Sequence, residues 1–179
     1  SFTNSKQVSK IYALPGNGGT STIATNIQGD VNDFTKIKEE VINNNISLVF
    51  VGPEDPIVNG IYDFFKSDDF LKNIKIIAPS KNAGQLEGSK EFAKKFMERY
   101  NIPTAKHGTF TKENINQSDA FLESMTPPYV LKADGLAAGK GVLIINNLQE
   151  AKDELRSMIL DKKFGDSSSK VVIEEFLDG

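Results

Sequence analysis

Residues 129–145 constrain the fold more than any other stretch. Tyr129, Val130 and Leu131 lead through Lys132, Ala133 and Asp134 into a loop of glycine and alanine, and Val142 to Ile145 lead out of it. Apolar, largely β-branched runs on both sides predict two strands joined by that loop. Gly135, Gly139 and Gly141 sit where the chain turns, with Lys132 before them and Lys140 among them. Glycine lets backbone amides crowd a ligand and tolerates positive φ. A run of such amides makes a concavity for anions, and lysine adds mobile positive charge. The loop reads as a flap able to close over a polyphosphate. The plainer alternative is a glycine hairpin with two solvated lysines. The spacing is not that of a Walker loop. Three residues separate Gly135 from Gly139, and Gly141 stands where the Mg²⁺-binding hydroxyl should follow Lys140.

Composition excludes several chemistries. The 179 residues include no cysteine, so disulfides, thiolate catalysis and cysteine zinc sites are out. His107 is the lone histidine and reads as a surface or packing residue. A net charge of −3 gives no electrostatic support for a nucleic-acid partner. No apolar run approaches the roughly 20 residues of a membrane span. The polar start, residues 1–10, does not read as a signal peptide. A cytoplasmic protein without nucleic-acid or membrane partners is expected.

Upstream of the flap, short apolar runs end in turns. Residues 10–14 predict a strand stopped by Pro15, Gly16, Asn17, Gly18 and Gly19. Asn32 or Asp33 can cap a helix with Phe34, Ile37, Val41 and Ile42 on one face. Residues 47–51 predict a buried strand running into Gly52, Pro53 and Glu54. Asp55 should then cap a helix that starts near Pro56 and turns Ile57, Ile61, Phe64 and Phe65 inward. Residues 74–78 predict a further strand. Strand and helix alternating on short links predict a parallel sheet with crossover helices. Ligands of such sheets bind at the carboxyl ends of the strands. Residues 85–100 predict a helix capped at Ser89, with Phe92, Phe96 and Tyr100 on one face and Lys90, Lys94 and Lys95 elsewhere, as a solvated face. A helix over residues 148–161, a soft loop over 164–169 and a strand over 171–177 complete the pattern.

With these segments in view, the chain resembles the phosphoribosylamine–glycine ligase family, the glycinamide ribonucleotide synthetases, which are ATP-grasp enzymes of purine synthesis. Five blocks carry the resemblance in order. They are Leu-Pro-Gly-Asn-Gly-Gly-Thr at 14–20, Val-Gly-Pro-Glu at 51–54, Gln-Leu-Glu-Gly-Ser-Lys at 85–90, Lys-Ala-Asp-Gly-Leu-Ala-Ala-Gly-Lys-Gly-Val at 132–142 and Val-Ile-Glu-Glu-Phe-Leu at 172–177. The resemblance implies an α/β fold. A pre-ATP-grasp, Rossmann-like parallel sheet with crossover helices would span residues 1–86 as a substrate domain. A linking helix would occupy 87–103, and the small α+β lobe of an ATP-grasp domain would follow over 104–179.

The same resemblance implies roles. Gly135, Gly139, Lys140 and Gly141 would fold over the ATP phosphates, with Lys132 and Lys90 holding phosphate oxygens. Glu174, Glu175, Phe176 and Leu177 would form the adenine-contacting strand, partly through backbone groups. The turns at Gly16, Asn17 and Gly18 and at Gly52, Pro53 and Glu54 would face 5-phosphoribosylamine. Residues 104–169 would move as a lid. Mg²⁺ or Mn²⁺ ligands are expected outside this chain. So are a preceding strand and a second lobe, so that residues 1–179 alone would be inactive and would leave a sheet edge unpaired. Fusion to other purine-synthesis enzymes is compatible with the resemblance. The rival readings are another ATP-grasp ligase, such as one acting on bicarbonate, and a non-catalytic nucleotide-binding module.

Overall fold

In a computed structural model of the protein, residues 2–137 and 140–178 are described. The chain divides into two units, Ser1–Gly84 and Gln85–Gly179.

In the first unit β1 (Tyr12–Ala13) pairs in parallel with β2 (Thr25–Asn26), Tyr12 opposite Thr25. α1 (Phe34–Asn43) follows, started by Asp33, whose side chain accepts the Lys36 N–H. β3 (Leu48–Phe50) then pairs in parallel with β4 (Lys75–Ile77), Leu48 opposite Lys75. Between them run α2 (Glu54–Asn59) and α3 (Ile61–Ser67). The described strands of this unit thus form two separate parallel pairs rather than one continuous sheet. Val41, Ile61, Phe65 and Leu71 are buried at its centre, with Phe34, Ile37, Val49, Phe64 and Ile76 packed around them.

Four sequence expectations change here. The strand expected to be buried over 47–51 leaves Leu48 and Phe50 exposed and only Val49 half-buried between them. The helix expected past Asp55 is broken by Gly60, whose φ of 93° ends α2 and opens α3. Pro53, not Asp55, occupies the cap position, so Glu54 and Asp55 both fall in the first turn. There they complement the helix dipole rather than accept the end amides. Ile42 is exposed, because Phe34, Ile37 and Val41 already fill the inward stripe of α1.

The second unit begins near the end of α4 (Lys81–Gly88). α5 (Lys90–Arg99) is a separate helix, because Ser89 is extended and its Oγ accepts the Phe92 N–H. Then come β5 (His107–Thr111), α6 (Ser118–Glu123), β6 (Tyr129–Ala133), β7 (Val142–Ile145), α7 (Leu148–Leu160) and β8 (Lys170–Glu175). The four strands form an antiparallel sheet in the order β5–β8–β6–β7.

Strand alternation sends Phe110, Tyr129, Leu131, Ala133, Ile145, Val171 and Ile173 to one face. There they meet Leu122 of α6 and Ala151, Leu155, Met158 and Ile159 of α7. Each fully buried aliphatic side chain in that layer contributes roughly 1.5–3 kcal/mol. The opposite face therefore receives His107, Thr109, Val130, Lys132, Val142, Ile144, Val172 and Glu174.

Candidate nucleotide-binding site

Lys132 and Glu174 meet on that opposite face. They belong to the neighbouring strands β6 and β8, where Val130 stands opposite Glu174 and Lys132 opposite Val172. The Lys132 Nζ lies 3.0 Å from Glu174 Oε2. Lys94, on α5, brings its Nζ to the same oxygen, also at 3.0 Å. Its ammonium donates a second hydrogen bond to Thr104 Oγ1 at 2.7 Å. Lys94 is 6% and Glu174 7% exposed, whereas the Lys132 side chain is 29% exposed. Lys94 is therefore no member of a solvated face, contrary to the sequence expectation. The sequence does carry a signal for it: Lys90 and Lys94 are four residues apart on one helix and share a face.

Lys90 opens α5. Its Nζ reaches the carbonyl oxygens of Asp134 and Gly135, each at 3.4 Å. Burial pushes its pKa below the ordinary lysine value, opposed by Asp134 and reinforced by the nearby charge of Lys132. Asp134 belongs to the flap motif, and the sequence assigns it no role of its own. Its carboxylate accepts the Glu91 N–H at 2.7 Å and the Ser89 hydroxyl, covering the exposed amides at the start of α5. Lys170 pairs with Glu91 beside it. That contact raises the pKa of Lys170 and, with Lys95, lowers that of Glu91.

The flap is rooted on both sides. Ala133 N–H donates to Gly141 O at 2.7 Å, and Lys140 N–H to Ala137 O at 2.9 Å. Ser167 Oγ donates to Leu136 O at 2.8 Å, and Gly135 N–H to Ser167 O at 3.4 Å. The supposed soft loop is thus a 3₁₀ turn, Gly165–Ser168, that buttresses the flap. Gly139 lies outside the described residues, as does its neighbour Ala138.

The remaining expected residues fall in three places. Glu175, one position past Glu174, points to the other face, where its Oε1 accepts the Lys106 N–H at 2.8 Å. Phe176 and Leu177 lie beyond the end of β8, and both are exposed. Val142 and Ile144, not anticipated as site residues, present exposed apolar surface on the Lys132 face. His107 packs on β5 with Nδ1 near Ala105 O and Nε2 3.3 Å from Glu98.

In the first unit Gly16, Asn17 and Gly18 form a braced turn. The Asn17 N–H donates to Thr20 Oγ1, Thr20 N–H returns to Asn17 Oδ1, and Asn26 Nδ2 donates to Asn17 O. Gly16 has φ 77°, and a Cβ there would stand 2.3 Å from Asn26 Cγ, so only glycine fits. Gly52 and Pro53 link β3 to α2, and Glu54 is exposed in its first turn.

Among the described residues no group of three or more His, Asp or Glu side chains could hold a metal ion. No Mg²⁺ step is assigned to them. The lysines fit a polyphosphate by charge.

A glycine flap on two antiparallel strands, a lysine on the strand entering it and a carboxylate on the next strand define the small lobe of an ATP-grasp protein. Residues 88–179 match the family model for the phosphoribosylglycinamide synthetase ATP-grasp (A) domain, and residues 1–87 that for its N domain. The chain belongs to the phosphoribosylglycinamide synthetase family.

Among its relatives, the phosphoribosylamine–glycine ligase of Pseudomonas aeruginosa is 43% identical over 175 residues, covering 97% of this chain and 39% of that protein. A bifunctional purine biosynthetic protein of Dictyostelium discoideum is 46% identical over 180 residues, 98% of this chain and 21% of that one. The crystal structure of phosphoribosylamine–glycine ligase from Thermotoga maritima has a TM-score of 0.72 at 31% identity, over 97% of this chain and 39% of that one. A biotin carboxylase of Campylobacter jejuni, 17% identical with a TM-score of 0.69 over 93% of this chain and 39% of that one, shares the fold. The chain spans about two fifths of the length of most of these proteins.

Proposed function

We propose that the polypeptide carrying this chain joins glycine to 5-phosphoribosylamine at the expense of ATP, as a cytoplasmic step of purine synthesis. Glycine would be activated as glycyl phosphate, and the products would be glycinamide ribonucleotide, ADP and phosphate. The observation that carries the reading is Lys132, half-exposed on the strand entering the glycine flap, beside Lys90 and Glu174. In this family that is the equipment for a triphosphate.

Residues 1–86 would form the substrate domain, 87–103 a linking helix and 104–179 the small ATP-grasp lobe. Lys90 and Lys132 would hold phosphate oxygens, and the flap carrying Gly135, Gly139, Lys140 and Gly141 would fold over them. Glu174, Phe176 and Leu177 would frame the base, with Glu175 contributing through its backbone. The turns at Gly16–Asn17–Gly18 and Gly52–Pro53–Glu54 would receive 5-phosphoribosylamine. No side chain need act as nucleophile, since position and countercharge suffice for phosphoryl transfer. An acyl phosphate is labile in water, which gives a closing flap its use.

Product analysis on the intact gene product tests this. With ATP, glycine and 5-phosphoribosylamine the expected products are glycinamide ribonucleotide and stoichiometric ADP. Turnover with bicarbonate in place of glycine, or nucleotide binding with no turnover on any carboxylate, would overturn it.

A further inference from the structure

Glu174 accepts two ammonium groups on a single oxygen, and the two lysines are not equivalent. Lys94 is almost wholly buried, and a second bond to Thr104 Oγ1 fixes it in place. Lys132 is the more exposed partner, and it stands on the strand that becomes the flap. We propose that Lys94 is a positioning residue for polyphosphate capture: it is the permanent partner of Glu174, and so it frees Lys132 to move to a phosphate oxygen. This inference rests on the reading of the flap face as a nucleotide site.

The reason is electrostatic. A carboxylate as buried as Glu174 is strongly destabilising without a partner, and more so next to an arriving polyanion. With Lys94 in place, Lys132 can leave Glu174 and the carboxylate stays paired. With Lys94 absent, Lys132 becomes the sole partner, and each phosphate bond it forms competes with that pairing. Lys94 thus sets the affinity from behind the carboxylate, with no contact to the ligand.

A charge cycle tests this. Inorganic tripolyphosphate is titrated calorimetrically into the 179-residue chain and its Lys94→Met, Glu174→Gln and doubly substituted variants. Each is measured at a temperature where circular dichroism shows it folded. Lys94→Met should weaken binding on the order of 30-fold, the lower end for truncating one partner of a buried charge pair, because Lys132 remains to pair Glu174. In the Glu174→Gln background, where no carboxylate needs a partner, the same change should cost no more than about threefold. An equal loss in both backgrounds makes Lys94 a plain charge or packing group and overturns the proposal, as does no loss in Lys94→Met. If Lys94→Met does not fold, Glu174→Gln against the double variant decides: a difference within about threefold upholds the proposal and a larger one overturns it. No tripolyphosphate binding by the unsubstituted chain would instead overturn the nucleotide reading, and this inference with it.

Discussion

Lys132 and Lys90 are the two residues on which the proposed ligand capture turns, and each makes a distinct prediction. Replacing Lys132 with alanine removes a charge-assisted hydrogen bond to phosphate while Glu174 keeps Lys94. ATP affinity should fall by ~1–3 kcal/mol, read by calorimetry on the folded variant, and unchanged affinity would reject its role. Lys90 predicts a proton signal. Burial lowers its pKa from the ordinary 10.5, so near the lowered value part of the population is neutral. A polyanion favours the ammonium form and draws a proton in. Binding at alkaline pH should therefore take up protons, seen as a dependence of binding enthalpy on buffer ionisation heat, and Lys90→Met should abolish it. The sign for folding is opposite to that of a stabilised lysine. The unfolded chain binds more protons between the lowered value and 10.5, so stability rises with pH across that interval, and the cost is full below it. At this scale the sequence singled out Lys90 and Lys132, which sit in named motifs. It placed Lys94 on the helix face of Lys90 but gave no partner for it, and it gave none for Asp134, because those partners are remote in the chain: Glu174, and the Ser89 hydroxyl and Glu91 amide.

The flap and α5 are one mechanical element. Asp134 covers the first amides of α5, Lys90 reaches back to Asp134 O and Gly135 O, and Ala133 and Gly141 close the base by a backbone hydrogen bond. The root of the flap is thus held through Leu136, whose carbonyl accepts the Ser167 hydroxyl. Gly141 shows how tightly. A Cβ at that position would lie 2.7 Å from Ala137 Cβ and 3.0 Å from Ala133 Cβ, and Ala133 is fully buried. Gly141→Ala should therefore cost about 1–3 kcal/mol by overpacking, measured as a lower midpoint in urea with an unchanged slope. An unshifted midpoint would mean that the flap base yields freely. Elements with strong periodicity, such as α1, α7 and the core strands β6 and β8, were legible because each buries one face. β2 is two residues long and carries no period, so it was missed. The break at Gly60 was written in the sequence as a glycine inside a helical run, but the apolar spacing of Ile57, Ile61 and Phe64 continued across it.

At the scale of the molecule, the two units carry different chemistry. The braced glycine turn and the Gly52–Pro53–Glu54 link lie in Ser1–Gly84, while the lysines, the flap and Glu174 lie in Gln85–Gly179. The parallel pairing of β3 with β4 and the antiparallel hairpin β6–β7 follow from linker length: helices between the first two, the short flap between the second two. What the sequence could not supply is strand order, because β8 inserts between β5 and β6 from the far end of the unit. That insertion brings Glu174 to Lys132, so the site exists only once the last strand has docked. Amide hydrogen exchange can test the division of labour. Tripolyphosphate should slow exchange within residues 90–94, 130–141 and 172–177 and leave the first unit unchanged. Ribose 5-phosphate, a stable stand-in for 5-phosphoribosylamine, should slow exchange in residues 17–21 and 52–54. If both ligands protect the same residues of 130–141, the ribose phosphate is only another polyanion on the flap, and the first unit loses its assigned substrate. If neither protects 52–54 while 17–21 responds, the glycine turn alone receives the sugar phosphate, and Glu54 returns to being a charge at a helix start.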